Sequence, residues 1–182
     1  MEIVFYFLPF VAMVLFGWYF EIKWKHLLLG LPPFFIAFFV ERYIVLDFST
    51  VVFLIFVAPV IEEVVKFLHT IPNKDKKTGV AVGLMFAGLE NMVYFISFSY
   101  SFLLVFWLRE LTDPILHSTT TSIATRTWEG KILTGIGLAI LMHAFWNFIS
   151  LLIINDYYWI WVMAGMYFII EIVWVKNVKI KK

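Results

Sequence analysis

The segment VAPVIEEVVKFLHT, residues 57–70, places Glu62, Glu63 and Lys66 within five residues of an otherwise apolar run. Three further polar groups interrupt later apolar runs. FAGLENMVYF carries Glu90 with Asn91 and Tyr94, RELTDPILHSTTTS carries Arg109, Asp113, His117 and Thr121, and HAFWNF carries His143 with Asn147. Glu62–Lys66, Glu90–Tyr94, His117–Thr121 and His143–Asn147 are each spaced i, i+4, so each pair shares a helix face. Arg109, Asp113 and His117 continue that stripe on one helix, past a kink expected at Pro114. Carboxylates beside a lysine and two histidines suit hydrolysis. It needs a base for the water, a stabiliser for the oxyanion and a donor for the leaving group.

The cost of these residues sharpens the reading. A charged side chain at the centre of a membrane helix costs about 2.5–3.5 kcal/mol on insertion scales. Three in one turn must therefore be paired, hydrated or neutral. Lys66 can neutralise one glutamate and leave the other as a general base. Adjacent side chains point about 100° apart on a helix, so one of Glu62 and Glu63 faces the water directly. Glu90, His117 and His143 form a three-ligand set with one open position, as in catalytic zinc sites. Zinc would lower the pKa of its water toward about 7, and a metal-free version has the histidines holding water and oxyanion themselves. Asn147 either donates to the oxyanion or orients His143. Each group also has a plainer reading. Glu62, Glu63 and Lys66 make an intramembrane ion pair, His143 and Asn147 an interhelical hydrogen bond, His117 a polar lining, and Glu90 a protonated carboxyl.

The elements that position these groups follow from composition. The 182-residue chain is 63% hydrophobic and 20% aromatic, with a mean hydropathy of +0.92, well above a soluble domain. Its formal net charge of +1 argues against a nucleic-acid partner, and the absence of cysteine excludes disulfides and thiolate chemistry. MEIVFYFLPF lacks a basic n-region and cleavage site, so it reads as a retained first span. Runs able to cover about 30 Å of hydrocarbon fall at 3–22, 27–46, 49–69, 79–98, 102–124, 131–154 and 157–175. The expectation is one domain over 1–182, an all-α membrane protein built as a polytopic bundle of about seven transmembrane helices. Six spans remain the alternative, because Pro32–Pro33 weakens the second run and Arg109, Glu110, Asp113 and His117 the fifth.

Basic residues set the orientation. With the N-terminus outside, the inner loops and tail hold Lys23, Lys25, Lys74, Lys76, Lys77, Arg126, Lys131, Lys176, Lys179, Lys181 and Lys182, against Arg42 outside. That asymmetry favours N-out and C-in. Glu62, His117, Glu90 and His143 then lie roughly 10–18 Å below the cytoplasmic face at 1.5 Å per residue. Gly79, Gly83, Ala87 and Gly88 mark a close helix approach.

At these residues the chain resembles the PrsW-type intramembrane proteases, whose pattern is EExxK, FxxxE and then histidine-bearing helices. The matching positions are Glu62-Glu63-x-x-Lys66, Phe86-x-x-x-Glu90, His117 and His143-x-x-x-Asn147, spanning residues 62 to 147. The type II CAAX-prenyl endopeptidases look like more distant relatives. They have a longer EExxxR spacing and a histidine where Glu90 stands, but share His-x-x-x-Asn. The resemblance implies an intramembrane protease in a prokaryotic cell membrane, cutting a membrane-anchored protein in the cytoplasmic half of the bilayer. By analogy Glu62 is the base, with Glu63 second; whether a metal takes part stays open, and Glu90, His117 and His143 are the set that would hold it, with zinc the favoured ion. Lys66, Phe86, Asn91, Tyr94, Asp113 and Thr121 support them. Two rival classes remain: a proton- or ion-coupled transporter, and a non-catalytic membrane scaffold of the same fold.

Overall fold

A computed structural model describes residues 8–19, 21–72, 75–97, 103–126 and 132–154, and beyond these 161, 163–167 and 169. Helix α1 is Leu8–Tyr19 and α2 is Trp24–Ile44. Helix α3 runs from Thr50 to Thr70, followed by α4 (Lys76–Ser97), α5 (Leu103–Arg126) and α6 (Ile132–Ile154). Residues 161, 163–167 and 169 are helical as well, and no strand occurs among the described residues. The all-α expectation holds there.

Among the described residues three helices are long and apolar enough to cross a membrane: Trp24–Ile44, Lys77–Ile96 and Ile132–Leu152. Of the seven expected runs, three meet that measure. Helices α3 and α5 have the length, but carry Glu62, Glu63 and Lys66, and Arg109, Glu110 and Asp113. Run length alone does not register that difference. All six of these side chains are buried. The described part of α1 is apolar but short. Residues 3–7 and Phe20 of the first candidate and most of 157–175 lie outside the described residues. So do Lys74, Trp128, Gly130, Lys131 and the tail lysines.

The exterior is apolar where the interior is polar. Phe35, Phe39 and Tyr43 on α2 and Leu141, Phe145 and Phe148 on α6 are exposed, while Lys66, Asp113 and His117 are fully covered. Polar groups inside and aromatic or aliphatic groups outside suit a bilayer as the surrounding solvent.

Prolines shape the two helices that enter the site. Pro32 and Pro33 sit in the first turn of Leu31–Ile44, where a missing N–H is tolerated, behind a 3-10 turn at Leu28–Gly30. In α3 the segments are Thr50–Val52, a π-turn at Phe53–Val57, and Ala58–Thr70 with Pro59 in its first turn. In π register the donor for the Leu54 carbonyl would be residue 59, and proline has no N–H to give. The Asn147 amide fills that role, with Nδ2 donating to Leu54 O at 2.8 Å.

Helices α4 and α5 pack along the glycine stripe. A Cβ at Gly79 would lie 3.0 Å from Ser122 Cα, and one at Gly83 would overlap the His117 carbonyl and the Ser118 nitrogen. Those are backbone atoms, so no rotamer change can make room. Gly83→Ala should therefore destabilise the bundle by about 3 kcal/mol, the upper part of the overpacking range, and displace His117. Unfolding of the detergent-solubilised variant in dodecyl sulfate reads the first effect; a wild-type midpoint would show that α4 and α5 are not locked here.

Candidate functional site

Lys66 lies at the centre of the polar interior. It projects from the second half of α3, has no exposed surface, and its Nζ donates to Glu63 Oε1 at 2.6 Å and to His117 Nδ1 at 2.7 Å. The ammonium also lies 4.5 Å from the Phe86 ring centre, a cation–π contact. Glu63 Oε1 collects three donors, since His143 Nδ1 reaches it at 2.9 Å and Thr120 Oγ1 at 3.1 Å. One carboxylate oxygen therefore ties α3, α5 and α6 together.

These bonds assign the imidazole tautomers. His117 Nδ1 accepts from an ammonium, so its proton sits on Nε2. His143 Nδ1 donates to a carboxylate, which leaves Nε2 with its lone pair. His117 stacks on Phe86 at 5.4 Å and meets His143 edge-on at 4.8 Å.

A second ion-pair chain runs along α5. Arg109 Nη2 lies 2.8 Å from Glu90 Oε1 and 2.7 Å from Asp113 Oδ2, with its guanidinium 4.1 Å from the Tyr94 ring centre. Trp146 Nε1 donates to Asp113 Oδ1 at 2.8 Å, anchoring the chain on α6. Glu90 Oε2 approaches His117 Nε2 at 2.8 Å, off the ring N–H direction, so neither atom completes a hydrogen bond.

Glu62 is different. It is 5% exposed, and its Oε2 has no hydrogen-bond partner; Lys66 Nζ stands 3.9 Å away and both His117 Nδ1 and His143 Nδ1 stand 4.0 Å away. It borders a cavity of about 190 Å³ that also touches Glu41, Phe53, Glu90, Tyr94 and Asn147. From Glu62 and Glu90 the lining continues back along α3 to Phe53 and forward along α4 to Tyr94. Both directions lead away from the α3–α4 turn, toward the end where α2 joins α3.

No known protein family, curated protein or solved structure matches this chain. The site's chemistry therefore rests on its own geometry.

A metal fits this geometry through a changed set of ligands. Glu62, His117 and His143 are buried and offer ligand atoms within 4.8 Å of one another. Glu62 Oε2 is unpartnered, and the ring nitrogens 4.0 Å from it are the two Nδ1 atoms, held by Lys66 and Glu63, so a metal taking them would displace those bonds. Glu90, expected in that set, is held by Arg109 instead.

The remaining sequence candidates divide. Phe86 and Tyr94 form cation–π contacts with Lys66 and Arg109, and Asp113 buttresses Arg109. Asn147 lines the cavity and bonds the α3 backbone, not His143. Asn91 is buried with neither side-chain atom hydrogen-bonded. Thr121 Oγ1 is likewise unpartnered, and its neighbour Thr120 makes the contact to Glu63. Glu41, inside the second run, lines the same cavity as Glu62. Pro59 was the available sequence signal for Asn147, since a proline inside a span frees a carbonyl that needs a donor.

Proposed function

We propose that the chain is an intramembrane endopeptidase of the PrsW type, hydrolysing a peptide bond of a membrane-anchored protein. The observation that carries this reading is Glu62: a buried carboxylate oxygen with no hydrogen-bond partner, at the edge of a cavity and beside two histidines. Such an oxygen is free to take a proton from water. Glu63 is the less suitable base, because its Oε1 already accepts from Lys66, His143 and Thr120.

In this reading Glu62 orients the water and removes its proton. The second amide hydrogen of Asn147 stabilises the oxyanion, and Lys66 and Glu63 hold the histidines in their tautomers. Zinc is the metal proposed for Glu62, His117 and His143; held there it would itself acidify the water, and Glu62 would then serve as its ligand in place of the base. Seven spans, N-out and C-in in a prokaryotic cell membrane, remain the proposed topology. With that orientation the cavity leads from the catalytic level toward the extracytoplasmic end, so the substrate segment enters there.

Liposomes containing the chain and a membrane-anchored reporter with a randomised juxtamembrane segment test the reading. Mass spectrometry should find fragments cut at a restricted set of positions. Intact reporter together with proton flux would replace the protease by a transporter. Elemental analysis tests the metal separately, with about one zinc expected per wild-type chain and none in His143→Ala.

A further inference from the structure

The two internal cations follow one pattern. Lys66 pairs with Glu63 and lies over Phe86; Arg109 pairs with Glu90 and lies over Tyr94. Each thus has a carboxylate on one side and an aromatic face on the other. A third set of this kind borders the cavity. Glu41 and Glu62 supply the carboxylates, and Phe34, Phe38 and Phe53 the rings. Among the described residues no cation of the chain completes it: Lys66 is 2.6 Å from Glu63 but 3.9 Å from Glu62, and Arg42 is the sole basic residue in the lining.

Two observations beyond the acidic residues point to a ligand. Glu62 is 5% exposed with Oε2 unpartnered, and Glu41 Oε1 is buried and unpartnered too. The space beside them, about 190 Å³, has the size for one long side chain. Phe34 and Phe38 stack at 6.0 Å along its wall. A carboxylate buried without a counter-charge is costly, and rings favour a desolvated cation. Together they select an organic cation over a neutral apolar group.

We propose that this cavity binds an alkylammonium group, the side chain of a substrate lysine next to the scissile bond. Glu41 would pair directly with the ammonium and Glu62 would attract it while its Oε2 stays with the water, and Phe34, Phe38 and Phe53 would cover its methylene stem. Assigning the group to a substrate peptide rests on the endopeptidase reading; the ammonium site itself does not.

The test uses the free side chain, n-butylammonium, on the full chain in detergent with a chelator present. Its unfolding midpoint should rise with n-butylammonium and stay unchanged with 1-butanol, the uncharged analogue. Glu41→Gln should weaken the apparent affinity about fivefold, the scale of one partly exposed charge contact. Phe38→Leu, at a partly exposed wall position, should also weaken it and covers the case in which Glu41→Gln does not fold. An equal shift with 1-butanol, or unchanged affinity in a folded Glu41→Gln, overturns the proposal. So does stabilisation by zinc without chelator and none by the amine. Reporter cleavage is read separately, so either result can fail alone.

Discussion

Replacing Lys66 with methionine should destabilise the protein by about 3–5 kcal/mol, the range for removing one partner of a buried pair. Methionine fills a similar volume but leaves the Glu63 carboxylate beside His143 and Thr120 without its counter-ion. His117 Nδ1 also loses its donor. The double variant Lys66→Met with Glu63→Gln removes the stranded charge and should recover part of the loss. Dodecyl sulfate unfolding of wild type, both single variants and the double variant gives the coupling directly. Additive effects would mean that the 2.6 Å contact carries little energy, and the hub would no longer explain the order of the site.

Glu62→Gln should do the opposite, sparing the fold and removing the chemistry. Its ion-pair partners stand 3.9–4.0 Å away and Oε2 makes no hydrogen bond. An amide of the same shape therefore breaks little that holds the bundle together. Turnover of the reporter should fall by about 10²–10⁴-fold, the usual contribution of a positioned base. The unfolding midpoint should stay near wild type. Cleavage at the wild-type rate would remove Glu62 from the mechanism, whatever the state of the metal.

The sequence showed which helices carry chemistry, because charges inside apolar runs are costly enough to stand out. Glu62, Glu63, Lys66, His117 and His143 were legible for that reason, and the structure brings them together. Their division of labour was not. Glu90 and Arg109 lie on different helices, 19 positions apart, and spacing within one helix says nothing about that pairing. Glu41 follows an apolar run, where a charge normally marks the end of a span. Its turn toward the cavity depends on how α2 packs against α3. Thr120 and Thr121 differ by one position around α5, a rotation set by tertiary packing such as the Gly83 contact with His117 and Ser118.

The placement of Glu63 and Lys66 one helical turn apart also has a consequence for biogenesis. Their contact lies wholly within α3, so it can form before α5 and α6 have been synthesised. For a helix entering a bilayer from the ribosome, that offsets two of three charges by an intrahelical bond. In the proposed topology Glu62 alone would then cross without a close partner. The lysine that orders the histidines would there first serve as the passport of its own helix.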